Sequence, residues 1–339
     1  MERGTRLNGI IHQLNNHPVM QHADLLLLNE LDIGMARSGN VDVSRELSFA
    51  ISAHSVFAAE YIELTRGTGR ERELAADNTT SLHGNAILTR YPFSNPQISK
   101  LSRCEDNFVS LERRIGGRIA LSLDLEIAGK SVVAATTHLD VVNSPRCRGR
   151  QMQSALRAIE SRTAQLNGSA GSDQVPVILG GDFNTHTFAR GGRLRAMRNT
   201  MVVLGGDRQA LSRRLQKPEQ REPAVRLLSR FGYETAELND RKPTSRSVVS
   251  GLDDSSHLPL PMKWWVDRRL GPNGLLLEFR LDWLAQKGLR VLRAGEVTDA
   301  ATGVTSLAAH TIPGLESEGQ PLSDHDPIVV DVALPSGWF

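Results

Sequence analysis

Only two of the 339 residues are cysteine, Cys104 and Cys147, so no disulfide scaffold organises this chain. One bridge is the most it can form, and with no CxxC pair or Cys/His cluster a structural zinc site of the usual kind is excluded. Long apolar runs are missing too. The longest, Ala23 to Leu28 with Asp24 inside it, falls far short of the roughly 20 residues a membrane-spanning helix needs. The opening MERGTRLNGI carries no apolar stretch of signal-peptide type, which leads to an expectation of a cytoplasmic protein. An excess of charge of one sign is absent as well, since Lys+Arg 40 against Asp+Glu 38 leaves +2. Nucleic-acid binding is therefore neither required nor excluded by bulk charge. No glycine-rich loop fits a P-loop or a dinucleotide fingerprint. What remains is a chain with 40% hydrophobic and 23% charged residues, inside the globular range. At roughly 100 to 200 residues per domain it holds one large domain or two ordinary ones.

The patterning is mixed. Leu7, Ile10, Ile11 and Leu14 share one helical face behind Thr5 or Asn8, predicting an amphipathic helix before Pro18. Leu25 to Leu28 reads as a strand buried on both faces that stops at Asn29 and Glu30. Ala86 to Thr89 is a second such strand. Ile119, Leu121, Leu123, Leu125 and Ile127 alternate with Ser122, Asp124 and Glu126, predicting a strand with one wetter face. Gly129-Lys130 then turns it into Val132 to Thr137 as a hairpin partner. Met152, Leu156, Ile159 and Leu166 follow at helical spacing, and Pro176 to Gly180 is another buried strand. Arg280 to Leu284, Leu289 to Arg293 and Ile328 to Ala333 read as three more. Between them the segment 185–279 is Arg-rich, with helical patches at Leu194 to Leu204 and Ala224 to Phe231 and a Pro/Ser stretch from Pro243 to Pro261. Strand signals resume after it, so it reads as an elaboration inside a single domain spanning 1–339.

Residues able to bind metal or move protons recur where the buried strands stop: Glu30, His138, Asp182 with Asn184, and Asp324-His325. A rigid sheet presents side chains at a mouth through its strand ends. Leu28-Asn29-Glu30, the run His83 to Pro92 (HGNAILTRYP), Thr137-His138-Leu139, Gly180 to Asn184 (GGDFN), Arg280 to Trp283 (RLDW) and Ser323 to Pro327 (SDHDP) stand in this order along the chain. From Glu30 to Val332 it resembles the endonuclease/exonuclease/phosphatase superfamily, of DNase I-like fold. The resemblance implies an α/β fold, a four-layer α/β/β/α sandwich of two packed mixed sheets, and hydrolysis of phosphoesters with a divalent metal. It also implies a strand before the first helix, ending in an Asn. Met1 to Gly4 looks like the tail of such a segment, so an N-terminal strand is expected to be missing from this chain.

Carried over residue by residue, the pattern assigns Glu30 as first metal ligand and Asp324 as a weaker second. Asp182 polarises or deprotonates the attacking water, and Asn184 donates to it or to a phosphoryl oxygen. His325 acts on the phosphate as base or cationic stabiliser, oriented by Asp282. His138 donates to a phosphoryl oxygen; the Thr-His-Leu-Asp run around it departs from the abasic-site endonucleases and resembles branches that include sphingomyelinases, inositol-phosphate phosphatases, deadenylases and tyrosyl-DNA phosphodiesterases. Asn85 lines the pocket, while His83 has no assigned role. Arg146, Arg150 and Gln151 open the next helix, where the arginines can hold substrate phosphate. Trp264-Trp265 beside Lys263, Arg268 and Arg269 reads as a stacking or lipid-contacting patch, or as core under a long loop.

Chemistry asks for the same set. Phosphoester hydrolysis needs the phosphoryl charge screened, a water activated in line and the leaving oxygen stabilised, and oxygen ligands select Mg²⁺ or Mn²⁺. The expected activity is that of a metal-dependent phosphodiesterase or phosphatase on a small molecule, a lipid headgroup or nucleic acid, with no obligate protein partner. A DNA or RNA nuclease and a non-catalytic binding member are the alternatives.

Overall fold

The computed structural model describes residues 3–335 apart from 68, 105–107, 109–111, 171–173, 190–192, 206, 250–259, 271–274 and 300–302. Met1 and Glu2, and positions 250–259 of the Pro/Ser stretch, lie outside the described residues. Two sheets stack between helices. The first contains β1 (Leu25–Ile33), β2 (His54–Glu63), β3 (Leu82–Thr89) and β5 (Arg114–Gly116), in the order β1-β3-β2-β5. The second contains β4 (Phe93–Lys100), β6 (Ile119–Ile127), β7 (Lys130–Thr137), β8 (Val177–Asp182) and β11 (Asp282–Lys287), in the order β11-β8-β7-β6-β4. Every pairing in both is antiparallel except β7 with β8. That parallel step needs a crossover. Helix α3 (Pro145–Ala170) supplies it and starts seven residues after His138.

Strand alternation builds three apolar layers. Val132, Ala134, Leu121, Leu123, Leu125 and Ile178 from the second sheet meet Ala58, Ile87, Leu25 and Leu27 from the first, forming the core between the sheets. Residues of opposite parity, Val133, Ala135, Val177 and Leu179, pack outward against Met152, Leu156 and Ile159 of α3 and Ala224 and Leu228 of α6 (Pro223–Arg230). On the far side Leu31, Ala86 and Leu88 pack outward against Ile10 and Leu14 of α1 (Leu7–Asn16) and Val43 and Leu47 of α2 (Val43–Ala50). The result is the four-layer α/β/β/α sandwich.

Two local readings change. β1 does not stop at Asn29 but runs to Ile33, with a register shift against β3 between Leu28 and Leu31. β6 has no wet face over most of its length. Ser122 and Asp124 are buried under α3, where Arg162 Nε donates to Asp124 Oδ1 at 2.6 Å. The alternation was right about which residues share a face, but a paired helix lies over the polar one.

The segment 185–279 contributes α4 (Arg193–Gly205), α5 (Arg208–Gln216), α6, β9 (Ser245–Val249), α7 (Leu260–Leu270) and β10 (Leu275–Phe279). It has a small core of its own around Phe188, Val203, Leu211, Leu215, Leu277 and Phe279. Trp264 on α7 is 63% exposed with Arg268 over its ring, and Trp265 is half-buried, so the pair is not core. Short strands β12 (Arg290–Val291), β13 (His310–Thr311), β14 (Glu316–Ser317), β15 (Gln320–Pro321), β16 (Ile328–Val329) and β17 (Val332–Ala333) complete the chain. Cys104 and Cys147 are joined, with Cα atoms 6.1 Å apart, tying the loop after β4 to the start of α3.

Candidate active site

Several of the candidate side chains stand on the inward parity of their strands, one step beyond the apolar core. In β7 the inward series Val132, Ala134, Thr136 leads to His138; in β8 Ile178 and Gly180 lead to Asp182; in β11 Leu284 leads back to Asp282; in β3 Ile87 leads back to Asn85 and His83. The sheets thus bring together residues more than a hundred positions apart. Gly181 is required where it stands: its φ is +140°, and a Cβ there would lie 2.1 Å from the Thr137 carbonyl oxygen.

β1 reaches the site through a bulge. Leu26, Leu28 and Leu31 all face the outer core, whereas unbroken alternation would send Leu31 inward. The extra residue is Glu30, in the left-handed region at φ 57°. A non-glycine residue held there stores strain of the kind found at functional sites. Burial alone would raise the Glu30 carboxyl, but nearby positive charge, from His83 and Arg3 among others, draws it below the ordinary carboxylate range. It is an anion at any working pH.

Asp182 and Asp282 are direct cross-strand partners on β8 and β11. Two like charges so placed repel, and a cation between them relieves the repulsion. His325 does so. Its Nδ1 lies 2.7 Å from Asp282 Oδ2 and its Nε2 4.0 Å from Asp182 Oδ2. Burial disfavours the charged ring, but the carboxylates of Asp282, Asp182 and Asp324 outweigh it and hold His325 well above its ordinary value. Against its own burial, Asp182 is pulled down to about 2 by His138, His325 and the Asn184 backbone N–H. One ligand atom from each of Asp182, Asp282 and His325 lies within 4.8 Å of the others.

Asn184, at φ 49°, holds the loop: its backbone N–H donates to Asp182 Oδ1 and its Nδ2 to the Leu139 carbonyl, both at 2.8 Å. Asp324 is exposed and reaches His325 through its charge. Arg146 and Arg150 are exposed on α3; the arginine of that turn that points inward is Arg148, fully buried. Arg148 is not a phosphate hook. It binds Glu222 through Nε at 3.2 Å and Nη2 at 2.7 Å, and Glu222 Oε1 also accepts the Thr187 N–H at 2.8 Å, fastening the start of α6 to α3 and to the loop after Asn184. Gln151, buried beside it, accepts the Asp140 N–H at 2.9 Å. His83 acquires a partner, since its Nδ1 is 2.8 Å from Asp32 Oδ1, and Asp32 is gripped by Arg37 through Nε at 2.7 Å and Nη2 at 3.0 Å.

Three further residues complete the site: Asn29, which the Leu28-Asn29-Glu30 run contained without a role, and Glu60 and Arg118, which had no local signal. Asn29 Oδ1 accepts the Asp182 N–H at 2.8 Å, and its Nδ2 donates to Asn85 Oδ1 at 2.9 Å. Asn85 Nδ2 donates to Glu60 Oε1 at 3.0 Å, so Asn85 is buried in the wall and bound on both sides. Arg118 Nη1 donates to Glu60 Oε2 and meets His138 Nδ1, each at 2.7 Å. His138 Nε2 lies 3.4 Å from Asp182 Oδ2. The contacts close a ring that starts and ends on Asp182.

Residues 3–325 match the sequence model of the endonuclease/exonuclease/phosphatase family. The chain belongs to that family. Its members are in general hydrolases of phosphoesters, and the strand-end acids and histidines fall inside the match. No curated protein matches the chain in sequence. Solved structures similar in fold include a conserved protein of unknown function from Enterococcus faecalis V583, at 14% identity and TM-score 0.51, covering 97% of this chain and 91% of that one. Another is an endonuclease/exonuclease/phosphatase family protein from Bacteroides thetaiotaomicron, at 13% identity and TM-score 0.51, covering 98% and 88%. A third is ANGEL2, described as a 2',3'-cyclic phosphatase, at 14% identity and TM-score 0.51, covering 97% and 85%. At these identities the likeness is one of fold.

The donor set suits the family's divalent metal. Asp182 and Asp282 offer carboxylate oxygens beside a single imidazole, the oxygen-rich chemistry that Mg²⁺ or Mn²⁺ takes, while Glu30 lies outside that cluster and adds negative charge to the site.

Proposed function

We propose that the protein hydrolyses a phosphoester with Mg²⁺ or Mn²⁺, with Asp182 as acceptor of the water proton and His325 as cationic donor. One observation carries this reading: a single imidazole stands between two cross-strand carboxylates, Asp282 at 2.7 Å and Asp182 at 4.0 Å. With Asp182 held at about 2 and His325 held well above its ordinary value, the first is ionised and the second protonated near neutrality. The ionised group can only accept. Asp182 orients the attacking water and takes its proton as the new P–O bond forms, late in the loose transition state typical of phosphoryl transfer. His325 Nε2–H donates to a phosphoryl oxygen or to the leaving oxygen as the old P–O bond breaks, and Asp282 holds the ring through Nδ1. Glu30 is the proposed metal ligand, assisted by the neighbouring carboxylates; when bound, the cation supplies positive charge to the phosphoryl oxygens. Arg146 and Arg150 are proposed outer contacts to the substrate's phosphate.

The test is a panel of chromogenic phosphomonoesters and phosphodiesters with plasmid DNA and RNA, each in Mg²⁺, Mn²⁺ and excess chelator. Metal-dependent turnover of at least one substrate is expected. Full turnover in chelator, or none on any substrate with either metal, overturns the reading.

A further inference from the structure

Resting on the reading above, we propose that Arg118 is a positioning residue that fixes the tautomer of His138, keeping the proton on Nε2, so that His138 works as a hydrogen-bond donor beside Asp182 and not as a base. Arginine has five N–H donors and no acceptor. A guanidinium nitrogen 2.7 Å from His138 Nδ1 therefore requires a lone pair on Nδ1, which excludes a proton there. The imidazolium and the Nδ1–H tautomer both place a hydrogen between two donors. What remains is the ring with its hydrogen on Nε2, the atom facing Asp182 Oδ2.

The arginine cannot easily turn away. Its side chain is 9% exposed, and the same Nη1 donates its second hydrogen to Glu60 Oε2 at 2.7 Å. Glu60 is fixed in turn, because its other oxygen accepts from Asn85 Nδ2 at 3.0 Å. Asn85 accepts from Asn29, and Asn29 accepts from the Asp182 backbone. Each donor and acceptor around the ring has one consistent direction. Asp182, the acceptor of the hydrolytic step, and His138, the donor beside it, are thus held by the two ends of one circuit. Without Arg118, the Glu60 carboxylate, with Oε2 at 4.0 Å, would face Nδ1 unscreened, and a carboxylate there draws a proton onto Nδ1.

Long-range ¹H–¹⁵N correlation spectra of the uniformly ¹⁵N-labelled full chain at neutral pH read the tautomer directly, with the His138 signals identified by their loss in His138→Gln. An unprotonated Nδ1 and a protonated Nε2 are expected. A proton on Nδ1, alone or with Nε2, overturns the proposal whether or not a substrate has been found, and a failed search for hydrolysis leaves this readout intact. In Arg118→Met the proton should move to Nδ1, and on any active substrate kcat should fall roughly 10- to 100-fold with KM little changed, the range seen when a buried partner that orients a functional imidazole is removed. Arg118→Lys, which keeps a donor, should retain the Nε2–H form. An unchanged tautomer in a folded Arg118→Met variant removes Arg118 as its cause; if that variant does not fold, the spectrum of the unmodified chain still decides.

Discussion

His138 and His325 approach the same oxygen, Asp182 Oδ2, at 3.4 and 4.0 Å, yet they are backed by opposite chemistry. Behind His325 stands a carboxylate, Asp282, which accepts the Nδ1 hydrogen and stabilises the charged ring. Behind His138 stands a guanidinium, Arg118, which donates to Nδ1 and so leaves no place for a hydrogen there. Two identical side chains at one acceptor are given different properties by the single atom on their far side. A histidine's role is set by its second nitrogen as much as by the first.

The comparison breaks most visibly at the shared acceptor. Asp182→Asn and His325→Ala should each lower kcat by roughly 10² to 10⁴ while the thermal melt stays cooperative. Equal losses on removing His325 or His138, with the same change of pH profile, would mean the two rings do one job.

Metal loading is the next largest effect expected. Glu30→Gln should raise the Mg²⁺ or Mn²⁺ concentration for half-maximal turnover by roughly 10- to 100-fold, because a neutral amide replaces the anionic oxygen a hard cation prefers. A metal titration identical to that of the unmodified chain removes Glu30 from the ligand set.

The carboxylate behind His325 can be tested by pH. Because His325 is raised, its charged form and the stability it contributes are full below the unfolded value of about 6.5 and fade as pH rises through the folded value. Turnover should therefore decline on an alkaline limb at the raised folded value, well above 6.5, and Asp282→Asn should move that limb to lower pH. The losses in the Asp282/His325 double variant should be well short of the product of the single losses. Independent losses with an unmoved limb would separate the two residues.

Smallest is the effect expected at a carboxylate that has a cation nearby but no hydrogen bond among the described residues. Glu63 is buried on β2, neither oxygen has a hydrogen-bond partner among the described residues, and Arg114 Nε is 3.6 Å away. Burial outweighs Arg114 and pushes it upward. A raised acid binds its proton more tightly folded than unfolded, so stability is greatest below about 4.3 and falls as pH rises to the folded value. Glu63→Gln should abolish that fall and gain on the order of 1 kcal/mol at neutral pH in denaturant titrations. A loss of stability would reveal a partner for the charge.

Much of this frame was legible beforehand. Buried runs and alternation located the principal strands and α3, the acids and histidines at strand ends named Glu30, His138, Asp182 with Asn184, and Asp324-His325, and Asp282 came from the family pattern. Where the reading failed, the cause lay in pairing. The apolar run of β1 gave no hint that the strand continues past Glu30, because a bulge is defined against its neighbour, here β3. Ser122 and Asp124 looked solvated since Arg162, which covers Asp124, lies 38 positions away. Arg146 and Arg150 drew notice at the start of α3, and the buried Arg148 between them did not. Glu60 and Arg118 carry no motif, and Asn29 stood in one without a role.

For His138, Asp182 and Asp282 the sequence by itself determined which side chain faces inward at the strand end, since side-chain parity is a local property of an extended chain, whereas the bulge of β1 against β3 decided it for Glu30. Only the tertiary structure decided what stands behind each of them. Arg118 meets Glu60 and His138 across 58 and 20 positions, and Asn29 meets Asp182 across 153. The proton on an imidazole follows whichever partner the packing of two sheets delivers to its other nitrogen, and no local pattern of residues specifies that partner.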